Sequence, residues 1–292
     1  MKKINYIELG GTLFVPATHK DLYKILNESK YPTLKSIVID TEDAILEEQL
    51  SSALQKIQKL LQTYRKTSLL VFIRVRNIHV LKEILGFNHI QNIDGFLLPK
   101  FSLYNAKEYL DILQDRAFYF MPSIEGDELF SQEKLFKLRD VLLPYKHKVV
   151  VVRFGLEDML RQFSLKRGCE DSLFDISAPS VTIGNFIATF KSSGFSVSGG
   201  VYPCYKDTEG FIKDVKRDLK EGLFSKTIIH PNHIELINEL YKVSKEEYRE
   251  ALELLQHKEA IFAQNEKMAE TTTMSPYAKN IILRREIYGI CS

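Results

Sequence analysis

Charged side chains recur at the ends of apolar runs in this sequence. Asp40, Glu42 and Asp43 lie at the end of SIVID, Arg74 and Arg76 at the end of LLVFIRVR, Lys100 closes GFLLPK, and Glu125 closes AFYFMPSIE. Arg153, Glu157 and Asp158 fall in VVRFGLED, and His230 falls in KTIIHP. If the runs are neighbouring strands, roughly 5 Å apart, the carboxylates of Glu125 and Asp158 reach one site. Two converging carboxylates repel unless a cation lies between them. A hard divalent ion suits such a pair, because Mg²⁺, with Mn²⁺ as its substitute, takes one or two protein carboxylates and fills its remaining positions with water and substrate. An acidic residue after a strand can equally cap the next helix or pair with Arg153, and the residues alone leave both readings open.

Arg74 ends a hydrophobic strand, where an inward guanidinium requires an anion. Glu42 or Asp43 can supply it, and so can a bound carboxylate held by the planar fork of donors. Arg76 shares the facing of Arg74 by strand alternation, one step further out. His230, just before Pro231, reads either as a general base or as a loop anchor.

The elements that position these residues follow from periodicity. The apolar runs begin at Thr12, Ser36, Leu69, Gly95, Ala117, Lys148, Phe195 and Lys226, and a polar or amphipathic stretch of helical length follows each. Alternation of this kind predicts a parallel α/β fold, and continuous apolar runs suit strands covered on both faces. Eight strand–helix units predict a TIM (β/α)8 barrel, whose active site is built at the C-terminal strand ends. No Gly-x-Gly-x-x-Gly turn follows the first run, which argues against a dinucleotide-binding open sheet. Helices are expected over Thr18–Asn27, Glu42–Arg65, Leu103–Gln114, Asp127–Leu138, Ile176–Ser193, Asp207–Glu221 and Pro231–Lys242. The barrel is expected over 1–243. Residues 244–292 are expected as a helical extension, Lys245–Lys267 and Pro276–Tyr288 joined by a Thr271–Thr273 hinge, serving as lid or oligomerisation segment.

Composition narrows the function classes. The 292 residues are 45% hydrophobic and 27% charged, which is ordinary for a globular protein and excludes disorder. A net charge of +2 without a basic stripe gives no reason to expect nucleic acid or a membrane surface as partner. Cys169, Cys204 and Cys291 are too few and scattered for a disulfide framework and lack zinc-site spacing. With no signal-peptide stretch and no run long enough to span a bilayer, a cytoplasmic protein is expected.

In order along the chain, LFVPA, VIDTEDAI, IRVRN, FLLPK, MPSIE, RFGLED and KTIIHP form a family pattern. The chain resembles the citrate lyase beta-subunit and HpcH/HpaI aldolase superfamily. Judging by RFGLED, LKRG…SLFD and MSPYAKNIILRREIYG, it is most similar to the C-C bond lyase branch found with tellurite-resistance genes. The resemblance implies a Mg²⁺-dependent lyase or aldolase working through a metal-stabilised enolate, with Glu125 and Asp158 as metal ligands. Arg74 would hold the keto-acid carboxylate, Glu42 would act beside it and the metal's water shell, and Arg76, Lys100 and His230 would line the substrate pocket. Citryl- and malyl-CoA lyases carry a Met-Ile-Asp segment near the C-terminus that can reach across a subunit interface. Here the comparable TTTMSPYAK has no aspartate, so a keto acid and an acyl-CoA thioester both stay open as substrate. The expected assembly is a homo-oligomer. The competing expectations are a thioester hydrolase and a barrel that has lost turnover and serves as a binding or scaffold subunit.

Overall fold

The structure, a computed structural model, describes residues 3–291. Strands β1 (Gly11–Pro16), β2 (Ser36–Asp40), β3 (Leu70–Arg74), β4 (Gly95–Leu98), β5 (Tyr119–Ile124), β6 (Arg153–Phe154) and β7 (Lys226–Ile228) pair in parallel in the order β6-β5-β4-β3-β2-β1-β7. Helices α1 (Leu22–Asn27), α2 (Leu50–Thr63), α3 (Ile78–Leu85), α4 (Ala106–Leu113), α5 (Gln132–Leu142), α6 (Leu156–Gln162), α7 (Ser177–Ser192) and α8 (Thr208–Lys220) connect them. One compact unit runs to Ile234 and a second begins at Glu235.

Side chains on a strand alternate between faces, so one face of each strand can be read two residues at a time. Val38, Phe72, Leu97, Met121 and Val151 pack into one buried apolar cluster, with Phe14 against it. Two residues further along their strands stand Asp40, Arg74, Ser123 and Arg153. The strand register sets them side by side, with Asp40 opposite Arg74 and Ser123 opposite Arg153. A layer of polar and charged groups therefore caps the apolar plug at the C-terminal strand ends.

The expected eight strands are seven in the sheet. The run from Phe195 contributes single bridges, Val152 to Val197 and Gly199 to Lys226, instead of a ladder. At Gly199 the Asp218 carboxylate stands where a side chain would go, since a Cβ there would lie 2.1 Å from Asp218 Oδ2. The helix expected over Glu42–Arg65 starts only at Leu50. Its first residues are held as a loop, with Asp40 Oδ1 accepting from the Glu42 amide and Arg76 Nη1 donating to the carbonyls of Thr41, Glu42 and Ile45. Helix α1 likewise begins at Leu22 rather than Thr18, and the Asp21 carboxylate pairs with Lys30 instead of capping it. Ile176–Ser193 matches α7 closely.

Cys169 and Cys204 are joined in a disulfide with their Cα atoms 5.8 Å apart. Thirty-five positions separate them in sequence, and only the approach of the α6–α7 loop to the loop before α8 makes them neighbours. The three cysteines, expected to be too few and scattered for a disulfide framework, therefore do supply one bridge, and their number gives no argument about the surroundings of the chain. No helix among the described residues is long and apolar enough to cross a membrane.

The second unit contains most of α9 (His233–Leu240), then α10 (Lys245–Gln256), a hairpin of β8 (Ile261–Gln264) and β9 (Lys267–Glu270), and α11 (Thr271–Tyr288). The expected helix over Lys245–Lys267 therefore stops at Gln256. Asn265 and Glu266 both take positive φ, at 50° and 62°, the backbone that a two-residue hairpin turn demands. The expected hinge Thr271–Thr273 is the first turn of α11, held by Thr271 N donating to Ala260 O at 3.0 Å. Ala251 and Leu254 of α10 pack with Ala278 and Ile281 of α11, so α11 belongs to the core of this unit.

Candidate active site

A cavity of about 630 Å³ opens at the C-terminal strand ends, with Phe14, Arg74, Lys100, Glu125, Arg153 and Asp158 among its lining residues. Glu125 directly follows β5 and is buried. Its Oε2 is enclosed and has no hydrogen-bond partner among the described residues. Burial, opposed by a hydrogen bond from Ser123 and reinforced by the charges of Glu42 and Asp158, pushes the Glu125 carboxyl up to about 7. Its approach to β6 is so close that a Cβ at Gly155 would lie 2.2 Å from Glu125 Cγ, so only glycine fits at that position. Asp158 sits in the first turn of α6, and its Oδ1 accepts from Arg161 Nη2 at 2.7 Å. Gln162 Nε2 donates to Glu125 O at 2.9 Å, tying α6 to the end of β5.

On the other flank of the cavity, Arg74 meets Asp40 through two parallel bonds, Nε to Oδ1 at 2.7 Å and Nη2 to Oδ2 at 2.6 Å. Its Nη1 faces Glu42 Oε2 at 2.9 Å and Asp43 Oδ2 at 3.5 Å. The first contact is an ion pair without hydrogen-bond alignment, since Glu42 Oε2 has no hydrogen-bond partner. Burial opposes the charge on Arg74, but the bonds and charge of Asp40, with Glu42 and Asp43, outweigh it and raise its pKa. Lys100 Nζ donates to Glu42 Oε1 at 2.8 Å. Glu42 itself is shifted upward, chiefly by burial, against the lowering pull of Arg74 and Lys100.

Lys100 adopts φ of 47°, a conformation that a non-glycine residue reaches only at some cost. Asn105 Nδ2 donates to the Lys100 carbonyl at 2.9 Å and braces that turn. Burial lowers the Lys100 pKa, and the bond to Glu42 with the charges of Glu42, Asp43 and Glu125 reverses the shift to a net rise.

The structure thus brings Glu42, Arg74, Lys100, Glu125 and Asp158 around one end of the sheet. Glu42 is not among the cavity-lining residues and touches the cavity through Arg74 and Lys100. Arg76 stands apart, its donors spent on the 41–45 loop carbonyls and on Glu47 at 2.7 Å. His230 also stands outside the lining, stacked on Tyr205 with ring centroids 4.6 Å apart. Sequence reasoning missed the role of Asp40 as the partner of Arg74, although its place in register with Arg74 was the available signal. It also missed the wall that Arg153 forms. Arg153 is buried and donates to the hydroxyls of Thr227 and Thr12 at 2.9 and 3.0 Å. Its guanidinium lies 5.7 Å from the Phe14 ring, and that of Arg74 lies 5.5 Å from the same ring.

Carboxylates and guanidinia gathered at the C-terminal ends of parallel strands stand where enzymes of the TIM-barrel class build their active sites. Residues 3–290 match the C-C bond lyase family of the TIM-barrel fold, and the chain belongs to that family. It is 21% identical to a (3S)-malyl-CoA thioesterase of Cereibacter sphaeroides, covering 88% of this chain and 84% of that protein. It is 22% identical to the citrate lyase subunit beta of Escherichia coli, covering 95% and 93%. The fold is shared with the CitE protein of Mycobacterium tuberculosis in complex with magnesium, acetoacetate and coenzyme A. That likeness has a TM-score of 0.70 at 16% identity, covering 95% of this chain and 98% of the other.

Proposed function

We propose that this chain is a Mg²⁺-dependent carbon–carbon bond lyase or aldolase acting on a 2-keto acid, free or as part of an acyl-CoA substrate. The observation that carries the reading is the enclosed Glu125 Oε2, which has no hydrogen-bond partner and belongs to a residue lining the same cavity as Asp158. A buried carboxylate oxygen left unpaired is costly, and a cation between the two carboxylates offsets that cost. Two protein ligands with open positions are what Mg²⁺ accepts, and no larger group of metal-ligating side chains occurs among the described residues. Bound there, Mg²⁺ would supply Lewis-acid stabilisation of the enolate formed when the bond breaks.

The chain's own residues do the rest. Arg74, aimed by Asp40, presents Nη1 to the substrate carboxylate, and Lys100 adds positive charge at the cavity edge. Glu42, buried between Arg74 and Lys100, holds or releases the proton moved during cleavage. Arg76 keeps the loop carrying Glu42 in place. His230 approaches the substrate only where a larger group extends past Ile229 at the cavity rim. The likeness to a malyl-CoA thioesterase favours a second reading, hydrolysis of a thioester at the same cavity. A cytoplasmic homo-oligomer with the residues from 244 onward as its interface completes the proposal.

Calorimetric titration with Mn²⁺ tests the metal site. Glu125→Gln and Asp158→Asn should each weaken binding by at least about tenfold, or about 1.4 kcal/mol. Unchanged affinity in both variants would remove the assignment. Product analysis with a malyl-type thioester separates the readings: a 2-oxo acid together with a shorter acyl thioester signals cleavage, and a free hydroxy acid together with the free thiol signals hydrolysis.

A further inference from the structure

The disulfide lies between two loops that reach the cavity from different sides in sequence. Cys169 belongs to the segment after α6, the helix that carries Asp158 and Arg161 into the cavity wall. Cys204 lies three residues beyond Val201, another wall residue. A second cavity, of about 580 Å³, is lined by Cys169 together with Arg167, Tyr202, Asp207 and Asp214.

Few buried apolar side chains hold the first loop. Between Ser164 and Asp175 only Arg167 and Leu173 are buried, while Leu165, Lys166, Cys169 and Glu170 are exposed. Arg167 Nη1 donates to Val201 O at 3.3 Å, and Arg167 Nε donates to Asp171 O at 3.0 Å. Tyr202 Oη stands 2.9 Å from Cys169 O and 2.7 Å from Asp207 Oδ2, and its single proton serves one of them at a time. A segment with so few buried apolar contacts is a low-stability element, and a covalent tie there changes its order more than one inside the core would.

We propose that the Cys169–Cys204 pair is a redox modification site whose reductant is a dithiol, and that its state sets the order of the 163–175 loop and, through α6 and Val201, ligand affinity at the Glu125–Asp158 cavity. Cys169 is exposed and Cys204 is half-buried, so the attacking thiolate meets Cys169 Sγ. Attack forms a mixed disulfide and expels the Cys204 thiolate, which takes up a proton. The second thiolate of the reductant then closes on its own sulfur in the mixed disulfide and releases Cys169 as a thiolate, which is also protonated. Two electrons and two protons pass to the protein, and the reductant leaves as a cyclic disulfide. Arg167 stays anchored at Val201 and Asp214 in the reduced state, so the loop loosens around that one anchored side chain instead of detaching.

The test uses the full chain carrying Cys291→Ser, which removes the free exposed cysteine. Maleimide labelling followed by mass measurement should find no reactive thiol in the oxidised protein and two after dithiothreitol. Trypsin cleavage after Lys166 should accelerate by about tenfold on reduction. Mn²⁺ affinity should fall by about threefold. The double variant Cys169→Ser, Cys204→Ser should match the reduced protein in both buffers. Two reactive thiols persisting after mild oxidation would overturn the proposal, as would equal cleavage in both states. Faster cleavage with unchanged Mn²⁺ affinity would overturn its link to the cavity. That last readout rests on the metal reading above. Absence of Mn²⁺ binding in both states would count against that reading, and the redox site would then stand or fall on cleavage after Lys166.

Discussion

Two clusters of buried charge sit in the same α/β unit and resolve their burial in opposite ways. In the first, Lys226 on β7 is fully buried, and its Nζ lies 2.6 Å from both Asp214 Oδ2 and Asp218 Oδ2. Arg167 completes the cluster through Asp214 Oδ1, so two cations face two carboxylates. Burial raises Asp218 against the pull of Lys226, while Lys226 and Arg167 overcome burial to lower Asp214. In the second cluster, Glu125 is nearly as deeply buried, yet its Oε2 meets no donor. A balanced set of charges holds α8 against the sheet. An unbalanced carboxylate stores an unmet demand, which a ligand can satisfy. Glu128 Oε2 is also enclosed without a hydrogen-bond partner but lies outside the cavity lining, so what sets Glu125 apart is an unpaired carboxylate oxygen on a residue of the cavity wall.

The largest expected effect breaks the balanced cluster. Lys226→Met leaves two carboxylates facing each other without their central cation, and removing one partner of such a set costs about 3–5 kcal/mol. Urea denaturation should show that loss. Glu125→Gln should show no comparable loss, because the carboxylate it neutralises has no hydrogen-bond partner at Oε2 to lose. If the two variants lost stability equally, the distinction between the clusters would be wrong.

His233 shows a third solution, in which a buried group is kept neutral. It is buried against Phe211, with ring centroids 3.7 Å apart, and neither ring nitrogen has a hydrogen-bond partner. Burial, aided by the charges of His230 and Lys226, lowers its pKa to about 4. The unfolded chain, with an ordinary histidine near 6.5, therefore binds more protons than the folded one between those values. Folding stability is complete above pH 6.5 and falls as pH drops towards 4, by up to about 3 kcal/mol. Denaturation midpoints of His233→Phe should lose this component of the slope in that window. An unchanged slope would mean that His233 titrates normally.

Much of this was legible in the sequence, and the rest failed for identifiable reasons. The apolar runs located every strand of the parallel sheet, because buried parallel strands are continuous in hydrophobicity. The run from Phe195 lies beside the sheet but makes only the single bridges of Val197 and Gly199, a pairing that hydrophobicity alone does not distinguish from a full ladder. The hairpin of β8 and β9 escaped because Asn265 and Glu266 reach positive φ without the glycine that signals such a turn. For the site, strand-end positions indicated Glu42, Arg74, Lys100, Glu125 and Asp158, but not which bonds they make. Whether Arg76 faces a ligand or a loop depends on the carbonyls of Thr41, Glu42 and Ile45, whose orientation exists only after folding. The disulfide was hidden for the same reason.

The smallest effect sharpens the comparison inside the cavity itself. Arg74 belongs to both descriptions: its Nε and Nη2 edge is balanced by Asp40, while Nη1 leans towards Glu42 and the cavity. Lysine at this position keeps the charge but has one nitrogen for both tasks, so it must choose between Asp40 and a bound carboxylate. Asp40 is buried and also accepts from the Glu42 amide, so it cannot be left without its cation cheaply. The lysine should therefore stay with Asp40, and the ligand should lose its partner. Arg74→Lys should raise the dissociation constant for pyruvate or oxaloacetate by about tenfold, about 1.4 kcal/mol. Arg76→Lys should leave it within about twofold, because that side chain serves the 41–45 loop and is absent from the cavity lining. Calorimetry on both variants decides the matter. Equal weakening in the two would show that loop order controls binding, and wild-type affinity in Arg74→Lys would move the anion site to Arg153, the other guanidinium beside the Phe14 ring.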